Sequence, residues 1–270
     1  MRFSILFLSV SLVWLAACAK KEGADAAKVA PLAFETIDLE QTYGVCDEPD
    51  TGCASITIEY PEITAAPTPQ AKDSINAYIR KTLLGSIPGD KPAETVEAAI
   101  SRFIDDYKKF KVDFPDYPTS WSVEREVKVF YQDAGLASLS FYEFSYTGGA
   151  HPNSAVHYAN FDLQNGNRIT LKDLFTEGFQ ERLNNVAEKR FRELKAIAPN
   201  QAYADAGFWF ENEQFKLTGN FAVGDTGVVF YYNNYEIAPY AMGPTELGIS
   251  YRDLQEIINP EGLLGKRKGQ

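Results

Sequence analysis

Three consecutive runs, Trp121 to Tyr131, Leu136 to Tyr146 and Ser154 to Leu163, alternate along the chain with a period of two and are crowded with aromatic residues. Turn formers separate them: Asp133-Ala134-Gly135 after the first and Gly148-Gly149 after the second. A period of two sends alternate side chains to opposite faces, so this stretch must form an antiparallel meander with one face on a core. Asn165-Gly166 closes the third run. Arg168 to Leu171 reads as a short strand paired back across that turn, and Lys172 to Phe175 as a turn or short helix.

The flanking sequence has a different period. Pro67 to Leu84 carries Ile75, Tyr78, Ile79 and Leu83 at helical spacing, with Gly85 as a stop. Ala93 to Val112 places Val96, Ala99, Ile100, Phe103, Ile104 and Tyr107 on one helical face. Gly178 to Ala198 is a third helix, stopped by Pro199. Ala54 to Tyr60 (ASITIEY) reads as a strand ended by Pro61. Phe215 to Phe221, Gly227 to Tyr232 and Leu247 to Ser250 are shorter strands, Tyr251 to Ile258 a last helix, and residues 260–270 a basic, frayed tail. Strand runs and helix runs are segregated, which predicts an α+β fold of antiparallel sheets packed against helices.

The N-terminus carries an export pattern. Met1-Arg2 precedes an apolar run from Phe3 to Trp14, then Leu15-Ala16-Ala17-Cys18. The run is about 12 residues, short of the roughly 20 needed to span a bilayer as a helix. Residues 1–17 are therefore expected to be a signal peptide. Leu15-Ala16-Ala17-Cys18 resembles a bacterial lipobox, in which Cys18 becomes the acylated (for example palmitate-bearing) first residue. Several acyl chains would anchor the chain stably, at about 0.8 kcal/mol per buried methylene. Residues 18–33 are small and polar, a flexible tether. Ala19 rather than Asp follows Cys18, which by resemblance to sorted lipoproteins places the anchor in the periplasmic face of the outer membrane. No other run is apolar and long enough to cross a membrane, so contact with the bilayer is expected through the lipid alone.

In an oxidising compartment the remaining cysteines, Cys46 and Cys53, form an even pair around DEPDTG, which is turn chemistry. A disulfide closing a loop of about eight residues contributes on the order of 2.5 kcal/mol. The 270-residue chain has 37 acidic against 26 basic side chains, a net charge of −11. Nucleic acid is excluded as a general partner, since its recognition rests on clustered Lys and Arg. A basic partner is favoured, chiefly in encounter rate.

Motifs for chemistry are sparse. There is no G-x-S-x-G elbow, P-loop, G-x-G-x-x-G or H-E-x-x-H, and Asp105-Asp106 falls on a solvated helix face. His151 and His157 lack a neighbouring cysteine or carboxylate pattern, so no metal site, cofactor or catalytic residue is assigned. The segment Tyr146-Thr147-Gly148-Gly149-Ala150-His151-Pro152 joins two aromatic strands. It reads either as a structural turn locked by His151 or as a ligand-contact loop. Ala238-Pro239-Tyr240-Ala241-Met242-Gly243-Pro244 reads either as packing over the core or as an exposed edge with Tyr240 and Met242 as contact area. Phe208-Trp209-Phe210 and Tyr231-Tyr232 suggest a sugar platform, although aromatic strand residues are usually core.

Three pieces in the second half match one family together: Tyr146 to Pro152, Thr170-Leu171-Lys172-Asp173-Leu174-Phe175, and Tyr235 to Tyr240 with Gly243-Pro244 and Ile249-Ser250-Tyr251 behind. They resemble the RsiV-type domain of anti-sigma factor ectodomains. Residues from about 55 to 146 are similar to the PdaC-type module that also precedes the catalytic part of a peptidoglycan deacetylase. The resemblance implies a first module over 34–150 and a second over 151–259. It also implies a non-catalytic envelope protein whose ligand is a lysozyme-type muramidase or a peptidoglycan fragment. Tyr146, Gly148, Gly149, His151, Tyr240 and Met242 are the expected contact residues. The alternatives are a peptidoglycan-modifying enzyme or a structural lipoprotein of envelope assembly.

Overall fold

Residues 32–46, 52–89, 93–133 and 135–267 are described by a computed structural model. The expected signal peptide, Cys18 and all of the tether before Leu32 lie outside these residues. Two long strands, β1 (Ala33–Tyr43) and β2 (Ala54–Ala65), form an antiparallel hairpin. The Cys46–Cys53 disulfide closes it, with Cα atoms 5.2 Å apart. The chain then crosses over through helices α1 (Pro69–Ser86) and α2 (Val96–Asp113) to β3 (Trp121–Gln132). Because the crossover returns to the starting end, β3 pairs with β2 in parallel from Ala54 to Glu59, the exception in a sheet expected to be antiparallel. Strands β4 (Leu136–Tyr146) and β5 (Asn153–Asp162) complete the meander and a five-stranded sheet ordered β1-β2-β3-β4-β5.

Both crossover helices start on a threonine cap. Thr68 accepts from the Ala71 N–H at 3.1 Å and Thr95 from the Ala98 N–H at 3.2 Å. Ile75, Ile79 and Leu83 of α1 and Ile100, Phe103, Ile104 and Tyr107 of α2 are buried on the sheet residues Ile56, Ile58, Val123, Val127, Leu139 and Phe141. The helices cover one face only; on the other, Ser138 and Asn160 are buried against residues 221–223.

A second core surrounds α4 (Phe179–Leu194), which follows the single-turn α3 (Leu171–Leu174). Phe179, Leu183, Ala187 and Phe191 pack on a three-stranded antiparallel sheet of β6 (Phe221–Val223), β7 (Gly227–Tyr232) and β8 (Thr245–Ser250). Phe191 is its hub, with five aromatic rings at 5.1–6.3 Å.

Several boundaries differ from expectation. Leu32 is buried and its N–H donates to Gln132 Oε1 at 2.7 Å, so the tether ends before it. Strand β2 runs past Pro61 because its ladder with β3 stops at Glu59, leaving no β3 pairing there for proline to break. Strand β5 belongs to the first sheet, so the chain passes between cores from Leu163 to Ile169 rather than at residue 150. The strand expected at Arg168 is a single bridge to Phe161, and that expected from Phe215 begins at Phe221. The last helix is one turn, α5 (Tyr251–Leu254), followed by a bridge from Ile258 to Phe175. The tail is not frayed throughout: α6 (Leu263–Arg267) docks through the buried Leu264.

Side-chain amides join the two sheets along the outer edge of β5. Asn233 accepts from Val156 N–H at 2.7 Å and donates to Val156 O at 3.0 Å. Asn220 accepts from Tyr158 N–H at 2.9 Å and donates to Val156 O at 2.8 Å. Asn160 reaches the other way, donating to Phe221 O at 2.8 Å and accepting from Val223 N–H at 2.9 Å. Each amide takes the place of a peptide group in a ladder, so an edge that would otherwise need another strand is satisfied.

Candidate functional site

The two joined sheets leave the rest of their helix-free faces on the surface, and the loops at one end of this surface come from both modules. Gly148 and Gly149 have φ of 110° and 106°, a region that favours glycine and turns the chain sharply after β4. Tyr146 braces the turn by donating to Gly149 O at 3.1 Å. The turn delivers His151 onto Tyr240, ring on ring, with centroids 4.0 Å apart and planes within 16°. His151 Nδ1 lies 3.0 Å from Pro152 O, which can only accept, so Nδ1 carries the proton. In the neutral ring Nε2 is then the acceptor, and Tyr235 Oη donates to it at 2.8 Å. Tyr235 is half exposed and held at φ 67°.

Of the expected contact residues, the structure therefore brings Tyr146, Gly148, Gly149, His151 and Tyr240 together. Met242 is exposed on the far side of the same loop, beside Gly207. Tyr235 was not among them. It opens the quoted Tyr235 to Tyr240 motif, but nothing in its spacing announces a partner 84 residues away.

From this cluster an aromatic strip runs along the open surface. Burial, then the carboxylates of Glu124 and Glu126 and the phenol of Tyr240, push the Tyr142 phenol up. Burial and Glu246 raise Tyr231, and the same causes push Tyr158 up to about 12. The extra residue at a bulge in β3, Phe130, lies 5.3 Å from Tyr158. Here the strip deepens into a cleft of about 440 Å³ walled by Phe130, Val229 and Gly248.

Beside the strip lies a row of carboxylates. Register places Asp38 opposite Glu59, Glu59 opposite Glu126, and Glu126 opposite Tyr142, across four adjacent strands. Glu40 and Glu124 flank the row on either side of Thr57. Like charges directly opposite one another destabilise a sheet. Lys128, on the same face, pairs with Glu126, and its ammonium is held above the ordinary lysine range by Glu126 and, less, Glu59. No periodicity in the sequence reveals this row, because it depends on register.

His157 belongs to the opposite, helix-covered face. It stacks on Phe141 at 4.6 Å with planes 7° apart, and its Nδ1 is 3.9 Å from Glu143. Burial, with Arg168 adding to it, lowers its pKa to about 4. Burial also raises the Glu143 carboxyl, against the pull of Arg125. Arg125 is itself committed, donating to Ser86 Oγ at 2.9 Å and to the carbonyls of Glu124 and Phe144 at 2.7 and 2.6 Å. Among the described residues no group of three or more His, Cys, Asp or Glu is placed to hold a metal. No helix among them is long and apolar enough to cross a membrane.

Known protein families match the two halves of the chain separately. Residues 48–154 match the family model described as deacetylase PdaC, and residues 172–252 match DUF3298, a protein family of unknown function. Peptidoglycan-N-acetylmuramic acid deacetylase PdaC of Bacillus subtilis is 22% identical over 185 residues, covering 66% of this chain. The chain spans 39% of the length of that curated relative. A crystal structure of a DUF3298 family member from Bacteroides fragilis matches with a TM-score of 0.74 at 25% identity, over 90% of this chain and 100% of that one. A DUF3298 family protein from Pseudomonas aeruginosa matches at 0.60 and 21% identity, over 84% and 95%. The chain thus contains a segment similar to the PdaC model followed by one similar to the DUF3298 model, in the α+β fold of these structures.

Proposed function

We propose that this is a non-catalytic cell-envelope protein, lipid-anchored through Cys18 at the periplasmic face of the outer membrane, that binds a basic protein of lysozyme type. The observation that carries the reading is the juxtaposition of two features on one open face. One is the carboxylate row Asp38, Glu59 and Glu126; the other is the aromatic cluster His151, Tyr235 and Tyr240. A row of like charges weakens the fold, and a cationic partner would relieve it. Tyrosine offers large contact area with little entropy to lose, so the cluster suits the centre of a protein interface, with the carboxylates as its steering rim. The curated relative, a peptidoglycan deacetylase, supports a place in the envelope. The RsiV-type resemblance of the three motif pieces supports the lysozyme-type ligand.

Calorimetric titration of a basic lysozyme into the chain from residue 19 tests this. Saturable one-to-one binding that weakens as salt rises is expected, since screening acts on the rim. Turnover of peptidoglycan by the chain alone would overturn the non-catalytic reading.

A further inference from the structure

The Phe208-Trp209-Phe210 run splits in the fold. Phe208 and Phe210 enter the second core around Phe191, whereas Trp209 is 46% exposed. Its backbone N–H donates to Ile237 O at 3.0 Å, which fixes its main chain at the wall of a cleft of about 480 Å³. That volume lies within the roughly 300–1,000 Å³ of small-molecule clefts. Tyr232 forms part of the floor and is spent internally, donating to Lys216 O at 2.9 Å and accepting from Thr218 N–H at 3.3 Å.

Two further lining side chains are also engaged: Thr218 Oγ1 accepts from Asn220 N–H at 3.2 Å and Glu236 from the Asn233 amide at 3.3 Å. The side chains of Glu211, Asn212, Gln214 and Lys216 all line the cleft and have no hydrogen-bond or ion-pair partner among the described residues. The rim is nonetheless fixed in shape. Asn212 and Glu213 both sit in the left-handed region, at φ 54° and 57°. The Glu213 carboxylate anchors that turn by accepting from the N–H groups of Tyr203 at 2.7 Å and Ala204 at 3.3 Å. Strained, over-determined backbone of this kind is concentrated at ligand clamps.

We infer that this cleft is a saccharide subsite, separate from the His151–Tyr240 cluster, for a short oligosaccharide of N-acetylated sugars. An exposed indole presents a flat face to the C–H face of a pyranose. The side-chain amides of Asn212 and Gln214 match acetamido groups, which carry one donor and one acceptor. Glu211, Glu236 and Lys216 serve the hydroxyls, and two carboxylates against one ammonium disfavour an acidic sugar.

Triacetylchitotriose is titrated into the chain from residue 19 by calorimetry and by tryptophan fluorescence, with cellotriose as the unacetylated comparison. Only Trp121, packed among aromatics, and Trp209 contribute fluorescence to that chain. Expected are saturable binding of the acetylated sugar with a change in Trp209 emission, and at least tenfold weaker binding of cellotriose. Trp209→Ala should cost at least tenfold in affinity. Asn212→Gly suits its positive φ, so it keeps the fold while removing the amide, and should cost about fivefold. A His151→Ala, Tyr240→Ala double substitution should leave sugar binding unchanged. The inference is overturned by no binding at millimolar sugar, by binding that survives Trp209→Ala, or by equal affinity for the two sugars.

Discussion

Replacing Asn160 by alanine tests whether side-chain amides hold the two sheets together. Asn160 is 1% exposed. Its amide donates to Phe221 O at 2.8 Å and accepts from Val223 N–H at 2.9 Å and Ser138 Oγ at 2.7 Å. Ser138 keeps a second acceptor, Val223 O at 2.7 Å, so its hydroxyl is not stranded. The Asn160 contacts to Phe221 O and Val223 N–H are lost without replacement. At about 1 kcal/mol net for each of these two hydrogen bonds, plus about 1–2 kcal/mol for an orphaned buried N–H, the loss comes to roughly 3–4 kcal/mol. Urea unfolding followed by far-ultraviolet circular dichroism measures it. Asn185→Ala, at an exposed position of α4, is the control and should be neutral or slightly stabilising, because alanine is the better helix former. Ser138→Ala should cost only about 1 kcal/mol. A loss below about 1 kcal/mol for Asn160→Ala would refute the reasoning and make the amide bridge incidental to the fold.

Other expectations follow from single groups. The His157 pKa is lowered from 6.5 to about 4, so between these values the unfolded chain takes up a proton that the native one refuses. Stability is then full above about pH 6.5 and falls as pH drops toward 4, by about 1–2 kcal/mol once screening at a one-third exposed ring is allowed for. His157→Phe should flatten that part of a stability–pH curve; an unchanged slope would assign it to other groups. Asp38→Asn with Glu59→Gln should raise stability by a few tenths of a kcal/mol while weakening capture of a basic protein. If both quantities fall together, the row is structural. Replacing Cys46 and Cys53 by serine should cost about 2–3 kcal/mol, read from the urea midpoint with and without reductant.

Much of the fold was legible because its long strands and helices bury one face, which imprints a period. Strand β1 had no such signature: its open-face residues are Thr36, Asp38 and Glu40, and the inward Ile37 and Leu39 are only half-buried at the sheet edge. The parallel β2–β3 pair was hidden because a crossover and a hairpin leave the same local pattern in each strand. His151 and Tyr240 stood out through their motifs, but their stacking depends on the amide bridges of Asn220 and Asn233. Asparagine in a loop reads only as a turn former. Alternation in Phe208-Trp209-Phe210 marked aromatic residues without saying which would face out. The carboxylate row exists only once register is fixed.

The most direct test of the central claim is calorimetric titration of basic lysozyme into the chain from residue 19 at about 150 mM salt, with and without His151→Ala and Tyr240→Ala together. The account predicts one-to-one binding that the double substitution weakens at least a hundredfold while the unfolding free energy stays within about 1 kcal/mol of the parent. Absence of binding, or equal binding by the parent and the double variant, would contradict it.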